Sequence, residues 1–292
     1  DSHEGSDDDS LQEDFEEELQ DTVNKVRTVS TEPSVLFLFA TDIHRYSSEA
    51  TAETFISMRN TMKRFAEIEK CDYVIVNGDV IEGNLPKAES LEQGMITTSD
   101  MIAVGVPYYC VAGNHDTNRY PNSEYIFTIQ EPYSAILGAN RDAVFNPATN
   151  GTDYYFDVPM SNIRFLCINA VNGITLSYNI KQETVDWINN NNILDTTKTV
   201  ILCMHLSPIE EHTYKNCKSD RNNIFKPLLN AFIANGGNLI MLTGHAHVDG
   251  VFVDPYTEIT FLCQKCHAMD ITDSHYEYME ANAIDGIQNY RS

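Results

Sequence analysis

The chain has 292 residues, 42% of them apolar, and a formal net charge of -24. That length permits one large core and, by length alone, two domains. The charge argues against nucleic acid and anionic membrane as partners, because a polyanion is repelled at long range. No apolar run approaches the roughly 20 residues that span a bilayer as a helix.

The acidity is concentrated at the start. Residues 1–21 hold eleven Asp or Glu and no Lys or Arg. Residues 1–10 are expected to be a disordered leader, since like charges repel and nothing apolar is there to bury. In residues 11–33 an amphipathic helix and a linker are expected. Leu11, Phe15, Leu19, Val23 and Val26 recur at helical spacing, and Ser10 with Glu13 suits a capping box. Such a leader fits a tether beyond a removed signal or lipid anchor, which would make the protein extracytoplasmic; it fits a cytoplasmic chain equally.

Residues 34–292 read as one α/β domain. Residues 35–40 (Val-Leu-Phe-Leu-Phe-Ala) form a continuous apolar run, suited to a strand covered on both faces. Phe55, Met58, Met62, Phe65 and Ile68 predict a helix over 51–68. A strand over 73–76, a helix over 90–104 and a strand over 107–111 follow, so the opening is β-α-β-α-β with right-handed crossovers. Residues 117–150 are rich in Asn, Pro and Gly and predict a long surface excursion. Residues 152–158 and 163–168 predict an antiparallel hairpin. The remaining predicted elements are helices over 181–194 and 223–234 and strands over 199–204, 238–243, 250–253 and 258–263. Trp187 is expected in the core, and Asn235-Gly236-Gly237 is expected to end its helix through a left-handed residue.

Seven cysteines cannot all pair. Cys110, Cys167 and Cys203 lie in predicted buried strands, where a free thiol behaves as a small hydrophobe. Cys71 and Cys217 have no evident partner. Cys263-Gln264-Lys265-Cys266-His267 matches the c-type haem attachment pattern. It follows a strand with no axial partner in view, so chance spacing is the expectation, ahead of zinc or redox use and of haem.

Five predicted strands end in polar groups: Asp42-Ile43-His44, Gly78-Asp79, Gly113-Asn114-His115-Asp116, His205, and Gly244-His245-Ala246-His247. In open α/β sheets ligands bind outside the carboxyl ends of the strands. Imidazole, carboxylate and amide groups suit Mn, Fe, Zn or Ni, and the absence of cysteine among them disfavours a structural zinc. They are too many for one ion. A carboxylate shared by two ions about 3.5–4 Å apart accounts for them better, and such pairs hydrolyse phosphate esters.

Asp42-Ile43-His44, Gly78-Asp79-Val80-Ile81-Glu82, Gly113-Asn114-His115-Asp116, His205 and Gly244-His245-Ala246-His247 resemble the five blocks of the calcineurin-like metallophosphoesterase family, in order, over residues 34–268. The resemblance implies a four-layer α-β-β-α sandwich of two mixed sheets with metals at the strand ends. It implies one metal on Asp42, His44, Asp79 and His247, and a second on Asp79, Asn114, His205 and His245, with Asp79 as the bridge. His115 would stand near the leaving-group oxygen, with Asp116 orienting its ring. In the purple acid phosphatases of this family a tyrosine ligates ferric iron three residues after the bridging aspartate. Here that position is Glu82, which argues against a ferric centre.

The implied reaction is in-line attack on a phosphomonoester or small phosphodiester by a hydroxide shared between the metals, with His115 as general acid. Arg45, Tyr46, Asn84, Arg119, Tyr120, His212 and Lys215 follow the motifs and are candidates to line the pocket. A non-catalytic module that keeps the fold for protein contacts is the alternative.

Overall fold

The computed structural model describes residues 6–31, 33–45, 49–119, 123–127, 142–172, 177–208, 220, 222–245, 247, 250–253 and 260–263. The chain opens with α1 (Ser6–Val29), then β1 (Phe37–Ala40), α2 (Glu49–Ile68), β2 (Tyr73–Asn77), α3 (Lys87–Ile102) and β3 (Tyr108–Val111). There follow β4 (Val144–Phe145), β5 (Tyr154–Asp157), β6 (Ile163–Cys167), β7 (Val171–Asn172), β8 (Ser177–Tyr178) and α4 (Gln182–Asn190). The last elements are β9 (Thr199–Cys203), α5 (Lys226–Ala234), β10 (Asn238–Thr243), β11 (Gly250–Val253) and β12 (Thr260–Cys263).

The β-α-β-α-β opening builds a three-stranded sheet ordered β1-β2-β3, parallel throughout its described strands. A second, mixed sheet of seven strands runs β11-β12-β10-β9-β6-β5-β4. Its centre, β6-β9-β10-β12, is parallel, and the β4-β5-β6 meander and β11 run antiparallel.

Three apolar layers follow from the alternation of side chains along these strands. Val74, Val76, Tyr108 and Cys110 face outward onto Phe55 and Met62 of α2 and Met101 of α3. Tyr73, Ile75, Tyr109 and Val111 face inward onto Tyr154, Phe156, Phe165, Ile201 and Leu242 of the second sheet. Leu166, Val200, Leu202 and Met241 face away from the first sheet onto Trp187 and Ile188 of α4 and Leu229 and Phe232 of α5. Helix, sheet, sheet and helix therefore stack as four layers. Between the sheets Tyr109, Phe156 and Phe165 stack in series, at centroid distances of 3.8 and 4.8 Å. Each fully buried ring of this kind is worth about 1.5–3 kcal/mol.

Several expectations shift. The first helix begins at Ser6, inside the stretch expected to be disordered, so Ser10 lies within the helix rather than capping it. Leu19 and Val23 of this helix are buried against Phe65 and Cys71. The excursion over 117–150 contains a short strand, β4, that its Asn- and Pro-rich composition hid. The β7–β8 pair, two residues a side, is likewise too short for periodicity to reveal. Gly236, at φ +88°, ends α5 in the left-handed region as expected. Trp187 is buried, and Cys71, Cys110, Cys167 and Cys203 are buried free thiols. Cys217, Cys266 and His267 lie outside the described residues.

Candidate metal centre

Five parallel strands, β1, β2 and β3 of the first sheet and β9 and β10 of the second, deliver polar residues to the same edge. From the first sheet, β1 runs into Asp42 and His44, β2 into Asp79, and β3 into Asn114 and His115. From the second, β9 runs into His205 and β10 into His245 and His247. Asn77, the last residue of β2, fastens the two sheets there. Its side-chain amide donates to the carbonyls of Met204 and Leu242, 2.9 Å each, just before the second sheet turns into the site.

These turns are tight. Asp42, His44, Asp79, His245 and His247 all have positive φ, between 47° and 68°. They are half of the ten such non-glycine residues among the described ones, and four of the others are asparagines. Each left-handed residue other than glycine costs on the order of 1 kcal/mol or more. The surrounding hydrogen bonds hold them in place: Asp42 N donates to Gly78 O at 3.0 Å, His44 N to Asp79 O at 2.8 Å, and Gly244 N to His205 O at 3.0 Å. Gly113 has to be glycine for a different reason. A Cβ there would be driven into the carboxylate and backbone nitrogen of Asp79.

Three sets of side chains bring potential ligand atoms within 4.8 Å of one another: Asp42, His44, Asp79 and His247; Asp79, His205 and His245; and His44, Glu82 and His115. The first set equals the first ion's predicted ligands, and the second is the other set without Asn114. Asp79 belongs to both. Its Oδ1 accepts the backbone N–H of His115 at 2.8 Å. Its Oδ2 is buried without a hydrogen bond, 3.0 Å from His205 Nε2 and 3.6 Å from His44 Nε2. Asn114 Oδ1 and His205 Nε2 are also buried without a hydrogen-bond partner.

Hydrogen bonds elsewhere decide which ring nitrogen faces the site. His205 Nδ1 donates to Asn77 O at 2.8 Å, since a carbonyl can only accept. A neutral His205 therefore presents a bare lone pair at Nε2. His44 Nδ1 is paired to Glu82 Oε2 at 3.0 Å, which turns its Nε2 towards His247 Nε2 at 3.1 Å. Metal-bound histidines are oriented in this way. The backbone N–H of His245 donates to both oxygens of Asp42, at 3.1 and 3.0 Å.

The electrostatics fit a cation. Asp42 and Asp79 are no more than 1% exposed, and their ion-pair partners are histidines. Burial, the largest single influence, works to raise both carboxyls, but the surrounding histidines together outweigh it, the His205 charge first among them, and hold each below the usual carboxylate range. Burial would likewise lower His205, yet Asp79 and Asp42 raise it to about 9. His245, buried and next to the His205 charge, falls to about 3. Bare nitrogen, carboxylate and amide oxygen aimed into one buried, negatively biased space are a donor set that a pair of transition-metal ions fits.

His115 stands at the rim, 21% exposed at its side chain, with its ring edge-on to His44 at a centroid distance of 4.5 Å. Its ring is held by Glu82 rather than by Asp116: Nδ1 donates to the Glu82 carbonyl at 2.7 Å. Asp116 was expected to orient that ring. Instead its Oδ1 accepts the amides of Val80 and Ile81, and its Oδ2 the amide of Gly113. The short turn after β3 points this carboxylate back at the neighbouring loop, which it knits in place. Burial and the charge of Asp79 raise its carboxyl to about 6.

Among the candidate lining residues, Arg45 turns away from the site to Asp100 at 2.9 Å and over the Phe55 ring at 4.8 Å. Asn84 and Arg119 are half-buried; Tyr46, Tyr120, His212 and Lys215 lie outside the described residues. Asn77 and Thr41 escaped the sequence reading. Thr41 Oγ1 donates to Asp42 Oδ2 at 2.8 Å. The signal was there: each is a lone polar residue closing an apolar strand just before a motif.

The family model described as calcineurin-like phosphoesterase matches residues 35–249. Among solved structures, a dimetal phosphatase from Danio rerio superposes with a TM-score of 0.64 at 14% identity, covering 82% of this chain and 90% of that one. GAP50, described as the anchor in the inner membrane complex of Plasmodium, superposes with a TM-score of 0.51 at 13% identity, over 81% and 73% of the two chains. The DNA double-strand break repair protein Mre11 of Methanosarcina acetivorans is 28% identical over 134 residues. That match takes in 44% of this chain and only 21% of the relative.

Proposed function

The chain belongs to the calcineurin-like phosphoesterase family, and from that premise we propose that it hydrolyses a phosphomonoester or a small phosphodiester at a dinuclear site. Asp42, His44, Asp79 and His247 would hold one divalent transition-metal ion, and Asp79, Asn114, His205 and His245 the other. Mn, Fe, Zn and Ni all suit this donor set. Bound there, such a pair supplies Lewis acidity and a water of lowered pKa. The observation that carries this reading is the convergence of buried ligand atoms at the strand ends: Asp79 Oδ2 and His205 Nε2, 3.0 Å apart with nothing else to bond, and Asn114 Oδ1, which has no hydrogen-bond partner. An unsatisfied buried polar atom costs about 1–3 kcal/mol, and such atoms gathered at one place ask for a ligand.

His115 is the general acid in this reading. With Nδ1–H committed to the Glu82 carbonyl, Nε2 is the atom that delivers a proton to the departing alkoxide. Asp116 keeps the His115 loop against the strand end through three backbone amides. No helix of the described residues is long and apolar enough to cross a membrane.

The fold does not decide between enzyme and contact module, since one similar structure is described as an anchor. The orphaned acceptors favour the enzyme. The net charge of -24 disfavours long DNA as substrate, although one relative over part of the chain is a DNA repair protein. The test is a screen of Mn-loaded protein against p-nitrophenyl phosphate, bis-p-nitrophenyl phosphate, nucleotides, cyclic nucleotides, phospholipid head groups and short DNA ends. Turnover that a chelator abolishes supports the proposal, and the monoester-to-diester ratio assigns the reaction class. A protein that takes up metal yet turns over none of these would be the contact module.

A further inference from the structure

Glu82 makes two contacts with two different histidines, through two different groups. Its side-chain Oε2 is paired to His44 Nδ1 at 3.0 Å. Its backbone carbonyl accepts from His115 Nδ1 at 2.7 Å, while Oε1 stays 3.9 Å from the same atom. The backbone at this point is fixed from both sides. Glu82 N donates to the Arg45 carbonyl at 3.2 Å. Gly83 follows at φ +69°, where a Cβ would run into the His115 carbonyl.

We propose that Glu82 is a positioning residue whose side chain and backbone serve separate parts of the site. The carboxylate holds the Nδ1–H tautomer of His44 and raises the basicity of Nε2, and so sets the affinity for the ion shared with Asp42, Asp79 and His247. The carbonyl holds His115, whatever the side chain is. This rests on the dinuclear reading given above. A charged acceptor on the far nitrogen of a metal-binding imidazole is worth about 10–100-fold in affinity. A side-chain change at Glu82 therefore acts on one ion and leaves the acid in place, whereas a residue that merely fills space would disturb both.

Titration calorimetry of metal-free protein with Mn(II) tests this on the parent, Glu82→Gln and Glu82→Ala. The parent is expected to bind two ions. Glu82→Gln keeps an acceptor for His44 but loses the charge, so one of the two steps weakens about 10-fold. Glu82→Ala loses both, and the same step weakens towards 100-fold. The other step stays within about twofold in both variants, and Glu82→Gln, which keeps an acceptor for His44, leaves the metal-free melting temperature close to the parent value. At saturating Mn(II), the ratio of alkyl-ester to aryl-ester turnover matches the parent, because the backbone carbonyl still holds His115. Parent-like affinity in both variants overturns the inference while leaving the dinuclear reading intact. Equal weakening of both steps with a lowered metal-free melting temperature overturns it in favour of a general structural role. A selective loss of alkyl-ester turnover at saturating metal also overturns it, by putting the side chain on His115. A parent that binds no ion overturns the dinuclear reading, and this inference with it.

Discussion

At the amino end of β6 and β9, Asp157 meets Arg164 and Lys198; at the opposite edge, where the strands of both sheets end, Asp42 and Asp79 meet His44, His205 and His247. Both places pair carboxylates with bases, and they are chemically unlike. Asp157 takes Arg164 Nε on one oxygen at 2.7 Å and Nη2 on the other at 2.9 Å, and the arginine's remaining nitrogen reaches the Ile193 carbonyl at 2.8 Å. That pair is half in solvent and satisfies itself. At the other end Asp79 keeps a buried oxygen with no hydrogen bond, and its neighbours are histidines, whose nitrogens can exchange a proton for a metal ion. A satisfied ion pair closes a structure. An unsatisfied one, buried and held on strained backbone, leaves room for a cation.

The largest effect expected from that contrast is at Asp79. Asp79→Asn should reduce metal content from two ions to one or fewer and bring turnover near background, because a neutral amide bridges poorly. Metal analysis after dialysis reads this directly, and full occupancy in the variant would remove the bridging role. Next comes His115, which sits beside the ligands without being one in this account. His115→Ala should keep both ions and lose rate by about 10²–10⁴-fold, more for alkyl esters than for p-nitrophenyl esters, whose leaving group departs without a proton. A lost ion would make it a ligand.

Asn77 sharpens the comparison from the side of the fold. Asn77→Ala removes two buried hydrogen bonds between the sheets at the carboxyl end. A loss of roughly 1–3 kcal/mol in denaturant unfolding is expected, together with weaker metal binding. Stability lost without any change in metal affinity would uncouple the sheet contact from the site.

The smallest effects come from titration, and the two ends should respond with opposite sign. In metal-free protein His205 is raised to about 9 by Asp79 and Asp42 against its burial, so its contribution is complete below the ordinary histidine pKa and is lost as pH rises towards 9. Asp157 is held below its ordinary range chiefly by the Arg164 hydrogen bonds, so its contribution is present at neutral pH and is lost as pH falls through the carboxylate range. Asp157→Asn should therefore soften the acid limb slightly, by about 0–1 kcal/mol as for other exposed pairs, and leave turnover alone. His205→Asn in metal-free protein should flatten the alkaline limb. Melting temperatures across pH measure both, and identical profiles would mean that the two ends are not distinct.

Much of this was legible in the sequence, for physical reasons. Apolar runs such as Tyr73–Asn77 and Thr199–Cys203 are covered on both faces, so they announce themselves as strands. Asp42, His44, Asp79, Asn114, His205, His245 and His247 each follow such a run, and strand direction gathers them on one edge. What the sequence hid was orientation. Nothing in Gly113-Asn114-His115-Asp116 says that the Asp116 carboxylate would turn to the amides of Val80 and Ile81, because those partners come from another loop. The work of Glu82 was hidden likewise, since it depends on His44 and His115 arriving from separate strands.

The central claim, that one buried carboxylate joins two ions into a hydrolytic site, is tested most directly by titrating metal-free protein with Mn(II) while following ion binding and phosphoester turnover together. The account predicts two ions per chain, with turnover appearing only as the second is bound. Full turnover with a single ion per chain, or two bound ions with no turnover of any phosphoester, would contradict it.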